Sequence, residues 1–156
     1  FMRFDLGNTW KGQFFTPYCI CRMMSSLTAD DLKAQVEEKH WVHSHDPACG
    51  AGATLIAFAN ECKDQGVNYQ TSALFVAQDI DRTAALMCYV QLSLLGCPGY
   101  VVVGDSICNP VTGPMLFPQC REGQEIWYTP MFFSDIWICR RQIEIMRSIF
   151  EKGEPA

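Results

Sequence analysis

Three aspartates carry the chemistry this sequence offers. Asp46, Asp79 and Asp105 each close a short run that reads as a strand. A carboxylate accepts hydrogen bonds from hydroxyl and amino groups and attracts cations. The first acid opens the stretch Asp46-Pro47-Ala48-Cys49-Gly50-Ala51-Gly52. Gly50 and Gly52 let a backbone turn tightly and approach a ligand with no side chain in the way. A helix leaving that turn presents unpaired N–H groups and the positive end of its dipole. An acid beside the turn repels a pyrophosphate. The last position of the dinucleotide fingerprint G-x-G-x-x-G is here Leu55, so that pattern fails. A cationic ligand without phosphate fits instead, and S-adenosylmethionine (SAM), with its ammonium and sulfonium, is one. Seven residues alone could equally be an ordinary strand-to-helix turn, and any single acid could simply cap a turn.

The elements must bring these acids to one place. His40 to His45 reads as a strand ending at Asp46, and Ala53 to Lys63 as the helix after it. Asp64-Gln65-Gly66 stops that helix. Ala73 to Ala77 is a continuous apolar run, the signature of a buried strand, and it leads to Gln78-Asp79-Ile80-Asp81. A helix from Arg82 to Leu95 ends at Gly96 and Pro98, and a third buried strand, Tyr100 to Val103, leads to Gly104-Asp105-Ser106. Strand, helix, strand, helix, strand predicts a parallel sheet with right-handed crossovers. The carboxyl ends of its strands line one edge, where open α/β sheets bind ligands. There Asp46 would hold an ammonium, partly through water or neighbouring backbone. Asp79 would take two ribose hydroxyls, Asp105 an adenine amino group, and Ile80 would pack on the adenine face. Ser106 counts with them.

The flanks are helical. Pro17 opens a helix with Thr16 as candidate N-cap, running to about Ser26. The adjacent Phe14 and Phe15 suit either core or a lid on an adenine or methionine group. Thr28-Ala29-Asp30-Asp31 reads as a second helix start, with Thr28 as cap and a charged, exposed helix from Asp30 to Glu38. Residues 109–123 are a Pro- and Gly-rich loop. Glu125 to Tyr128 reads as a fourth strand ending at Thr129. Ser134 or Asp135 can cap a last helix from Ile136 to Glu151. The fold expected is α/β, a single domain with a helical segment over 1–39 and a core over 40–156.

Composition narrows the classes. At 156 residues the chain can bury a real core, and no apolar run approaches the roughly 18 residues of a membrane span. Phe1 to Trp10 does not read as a signal peptide, and an opening without Met suits either a fragment or a chain that follows a removed tag. The nine cysteines are odd in number and several lie in apolar runs, which favours reduced thiols in an intracellular, cytoplasmic protein over a disulfide scaffold. Cys19 and Cys21 are too close for usual zinc spacing, and of His40, His43 and His45 only the last two would share a strand face, so no metal is expected. A net charge of −5 speaks against a large nucleic-acid surface on this chain alone, and Arg140, Arg141 and Arg147 read as a solvated helix face.

With the residues set out, a family resemblance emerges. Lys11 to Pro17 resembles the G-Q-F-F-T-P segment of N6-adenine DNA methyltransferases, above all the modification subunits of type I restriction systems. Asp46 to Gly52 is similar to their D-P-A-C-G-x-G motif. Gln78 to Asp81 resembles their acidic ribose-binding motif and Gly104-Asp105 their adenine-contacting one. The likeness covers about Lys11 to Phe132. It implies a Rossmann-like, SAM-dependent methyltransferase fold with a mostly parallel sheet, shortened here at the C-terminal end. It implies that Phe15, Thr16 and Pro17 help enclose SAM, and that Pro47, Ala48 and Cys49 belong to the cofactor turn. It also implies methyl transfer from SAM to the N6 of adenine in DNA.

One motif departs from the family. Those enzymes hold the base with N-P-P-F or N-P-P-Y at the end of a fourth strand. Its carbonyls accept the two N–H bonds of a poorly nucleophilic amine, and its aromatic stacks on the flipped base. The matching place here reads Thr129-Pro130-Met131-Phe132, so Thr129, Pro130 and Phe132 are the candidate catalytic residues, with a hydroxyl where the family has an amide. Asn109-Pro110 lies too soon after Asp105 to end a separate strand. Further strands and a target-recognition region are not evident. DNA would therefore be engaged with help from another chain or missing region, through a homodimer covering an open sheet edge or a hetero-assembly with a specificity subunit. Three functions remain in play: an adenine-specific DNA methyltransferase, a catalytically inactive SAM-binding or interaction module derived from one, and a methyltransferase acting on another substrate.

Overall fold

The computed structural model describes residues 16–152. Two helices lead, α1 (Tyr18–Thr28) and α2 (Leu32–Lys39). The core follows as β1 (Val42–Asp46), α3 (Ala53–Asp64), α4 (Tyr69–Ser72), β2 (Ala73–Asp79), α5 (Arg82–Leu94), β3 (Gly99–Val103) and β4 (Glu125–Tyr128). A 3₁₀ turn over Pro130–Phe133 leads to α6 (Asp135–Lys152). The strands lie in sequence order, β1-β2-β3-β4. β1, β2 and β3 are parallel, so the Rossmann-like, mostly parallel sheet expected from the sequence is present. β4 runs antiparallel to β3, with Val103 opposite Glu125 and Tyr100 opposite Tyr128.

Alternation along each strand sorts side chains onto two faces. Phe75, Ala77 and Val101 face α3 and α5, where Leu55, Phe58, Cys88 and Leu92 close one core. Both crossover helices lie on that face, as same-handed crossovers between strands in sequence order require. Leu74, Val76, Tyr100 and Val102 point the other way and are covered by Leu116, Phe132 and Trp137. That cover comes from the loop after β3 and the segment after β4, and it does not reach β1. His43 and His45, on this second face, are consequently exposed, and among the described residues β1 is hydrogen-bonded within the sheet to β2 alone.

Local chemistry sets the boundaries. Asp81 caps α5, accepting from the Thr83 and Ala84 amides at 2.9 and 3.2 Å. α2 is capped by Asp31, which accepts from Ala34 at 3.0 Å. Thr28, expected in that role, instead ends α1 with its hydroxyl on the Met24 carbonyl at 2.8 Å. Likewise Pro17, not Thr16, occupies the N-cap position of α1, without a side-chain cap. Gly99 has a packing reason: a Cβ there would lie 1.9 Å from the Phe75 carbonyl oxygen. All nine thiols are free. No described helix is long and apolar enough to cross a membrane.

Candidate cofactor site

The glycine turn joins β1 to α3. Gly50 and Gly52 have φ of 51° and 87°, in the left-handed region that side chains avoid. Gly52 also sits against α5, where a Cβ would stand 2.7 Å from the Cys88 sulfur. The turn is fastened from β2: the Cys49 amide donates to the Gln78 carbonyl at 3.0 Å. The Cys49 thiol pairs with Cys88, which, together with burial, pushes its pKa far up and leaves it an unreactive thiol.

Asp46, Asp79 and Asp105 come to the same sheet edge. Asp46 is opposite Ala77, Asp79 is opposite Val103, and Asp105 lies two residues beyond Val103. Each acid also organises its own turn. Asp46 accepts from the Ala48 amide at 3.0 Å and from the Thr54 hydroxyl. Asp79 accepts from the Gly50 and Asp81 amides, both at 2.8 Å, so it ties the end of β2 to the glycine turn. Asp105 accepts from Ile107 at 2.8 Å and Cys108 at 3.1 Å. The Cys108 and Ile107 amides hold its carboxyl below the usual carboxylate range. A carboxylate has about four lone-pair sites, so turn-making leaves capacity for a ligand on all three.

A cavity of about 420 Å³ opens between α1 and the glycine turn. Thr16, Asp46, Ala48, Cys49 and Gly50 line it, with Ser44 and Thr54 beside them. Among the described residues no Lys or Arg lines it, and burial pushes the pKa of His45, the one imidazole among them, down towards the neutral form. A carboxylate, hydroxyls and no fixed positive charge suit an ammonium or sulfonium, so these residues fit SAM on chemical grounds. Asp79, Ile80, Asp105 and Ser106 lie outside this cavity along the same edge, with Ile80 71% exposed. Pro17 and Pro47 are exposed beside the site. Phe15 lies outside the described residues. Among the described residues no group of three or more His, Cys, Asp or Glu side chains could hold a metal ion.

Thr129, Pro130 and Phe132 are not at this edge. The strand they follow is present, but it is antiparallel, so its carboxyl end points to the opposite side of the sheet. The Thr129 amide bonds to the Gly99 carbonyl, at the start of β3, whereas Asp79 is level with Val103 at its end. Four residues at about 3.3 Å each put roughly 13 Å between these levels. Thr129 is fully buried, and its hydroxyl accepts from the Gly99 amide at 3.0 Å and donates to the Cys97 carbonyl at 2.7 Å. Phe132 is buried beneath Arg141, whose guanidinium lies 4.3 Å from the ring centroid and donates to the Phe132 carbonyl at 2.8 Å. These residues clip β3, β4 and α6 together and have no free hydroxyl or ring face to offer a base.

Sequence reasoning missed the groups that shape the edge. Gln78 is 1% exposed. Its amide donates to the Asn109 carbonyl at 3.0 Å and accepts from Val111 at 3.0 Å. Gln124 donates to the same Asn109 carbonyl at 2.7 Å. Two glutamines thus hold the loop carrying Asp105, and they bring Asn109-Pro110 to the carboxyl edge. A glutamine inside an apolar strand was the available signal, because a buried amide must find partners.

A family model described as N-6 DNA methylase matches residues 6–138. No curated protein matches the chain, and no solved structure does.

Proposed function

The chain belongs to the N-6 DNA methylase family, and from that premise we propose that it binds SAM at the carboxyl edge and serves SAM-dependent methylation of adenine N6 in DNA. The observation that carries this reading is the convergence of three carboxylates and a glycine turn on one edge, beside a cavity that no described Lys or Arg lines. When bound, SAM supplies a methyl group activated by a positively charged sulfur. The rest is binding and orientation. Asp46 meets the ammonium inside the cavity, held in place by Ala48 and Thr54. Asp79 keeps the Gly50 amide and offers its remaining lone pairs to ribose hydroxyls. Asp105 accepts from the adenine amino group, while Ile80 gives an apolar surface for the ring.

The base-holding role does not fall to Thr129, Pro130 and Phe132, whose polar groups are used at the far edge. That favours a second reading, a cofactor-holding unit that transfers a methyl group only with a second chain such as a specificity subunit or another copy. What favours transfer by this chain itself is Asn109-Pro110, fixed at the cofactor edge by Gln78 and Gln124. On this reading the protein works in the compartment that holds the DNA, which accords with the cytoplasmic location proposed from its cysteines.

Calorimetry with SAM, followed by transfer of labelled methyl from SAM to unmethylated DNA, tests both readings. Asp46→Asn keeps the shape and the Ala48 bond but removes the charge. It should weaken SAM by about tenfold to a hundredfold, the loss of one charge-assisted contact. No SAM binding by folded protein would overturn the proposal. SAM binding without methyl transfer would select the second reading.

A further inference from the structure

On the second face, away from the cofactor cavity, a groove of about 310 Å³ runs between α6 and the junction of α2 with β1. Its rim is cationic: Lys39 on one side, Arg140 and Arg147 on the other, with His40 beside them. Its floor is Trp41 with Ile136 and Ile143, and among the described residues Glu144 is the one acid lining it. This is a concentration of positive charge on a chain whose net charge is −5.

Among the described residues, Lys39, Arg140 and Arg147 take part in no ion pair. Arg140 stacks on Trp137 at 4.7 Å, and its buried Nη1 has no hydrogen-bond partner. Burial also pulls its pKa down, the mark of a cation short of an anion. His40 holds φ of 68° as the C-cap of α2, its amide donating to the Val36 carbonyl. The three arginines of α6 are therefore not one solvated face. Arg141 is spent on Phe132, whereas Arg140 and Arg147 turn to the groove.

We infer that this groove binds the phosphodiester backbone of a DNA strand, with phosphates on Lys39, Arg140 and Arg147 and sugar against Trp41 and Ile143. Charge complementarity selects the occupant, because an apolar floor under a cationic rim matches deoxyribose under phosphate. From the groove, the exposed His43 and His45 continue along β1 towards Asp46. The five residues of β1 span about 15 Å, four to five base steps, so DNA gripped here lies within reach of the cofactor edge. The inference rests on DNA being the partner, as proposed above.

The test is fluorescence anisotropy of a labelled duplex of about 20 base pairs titrated with the 156-residue protein across a salt series. Lys39→Gln with Arg147→Gln changes two exposed side chains and should leave the melting curve and SAM affinity intact. Each phosphate contact contributes about 0.9 to the slope of log affinity against log salt, so the pair should lower the slope by about 2. Glu144→Gln should tighten DNA binding about twofold to threefold, since it removes the groove's acid. An unchanged slope in the double variant would overturn the inference, as would binding of polyglutamate but not of DNA. SAM calorimetry on the same samples keeps this failure distinct from failure of the cofactor reading.

Discussion

Thr129→Val separates a structural clip from a catalytic group. Valine matches threonine in shape, so no cavity forms. What is lost is the hydroxyl, which is fully buried between the Gly99 amide and the Cys97 carbonyl at 3.0 and 2.7 Å. Leaving buried partners unpaired costs about 1–3 kcal/mol per group, so two such groups, partly offset by the more apolar side chain, give about 2–4 kcal/mol. For a domain of this size each kcal/mol moves the melting midpoint by roughly 2–4 °C, and a fall of roughly 5–15 °C follows. Circular dichroism melting reads the stability, and calorimetry at a temperature where both proteins are folded reads SAM. The variant should lose stability and keep wild-type SAM affinity, because Thr129 is level with the start of β3 and the acids lie at its other end. Thr129→Asn should likewise create no methyl transfer, and forcing a larger amide into a filled site should cost about 1–3 kcal/mol. A Thr129→Val protein of unchanged midpoint that lost SAM binding or methyl transfer would refute the reasoning.

Gly52→Ala should destabilise by about 2–4 kcal/mol, from the left-handed backbone and the contact with Cys88 together, as read by urea denaturation. Only the contact part should return in a Cys88→Ala background, because the φ of 87° stays. The pH dependence follows from His43 and His45. Partial desolvation of the two rings lowers both pKa values, helped at His43 by His45 and Lys39 and opposed at His45 by Asp46. Below the ordinary value of about 6.5, the unfolded chain binds protons that the folded chain does not, so stability is full above that pH and falls as the pH drops through it. Melting midpoints between pH 7.5 and 5 should show this decline, and His43→Gln with His45→Gln should flatten it.

The sheet was largely legible because its signals are local and strong. Ala73 to Ala77 read as a buried strand, and Gly50 and Gly52 marked the turn. Three acids at successive strand ends reached one edge because parallel strands leave them no alternative. The direction of β4 was not legible. Four residues, Glu125 to Tyr128, carry no sign of which way they run. Direction comes from the loop over residues 104–124, held at its start by Gln78 and Gln124, and from the Thr129 clip at its far end. That reversal removes Thr129, Pro130 and Phe132 from the site while leaving motif spacing unchanged. α4 and the 3₁₀ turn, four residues each, are too short to show a period. Thr16 and Thr28 failed as caps because a neighbour, Pro17 or Asp31, holds the capping position instead.

Backbone amide exchange with and without SAM, followed by mass spectrometry, tests the central claim most directly. Saturating SAM should slow exchange in segments 46–54, 79–81 and 105–111 and leave 129–133 unchanged. Folded protein that shows no slowing at any SAM concentration, or slowing confined to 129–133, would contradict the account.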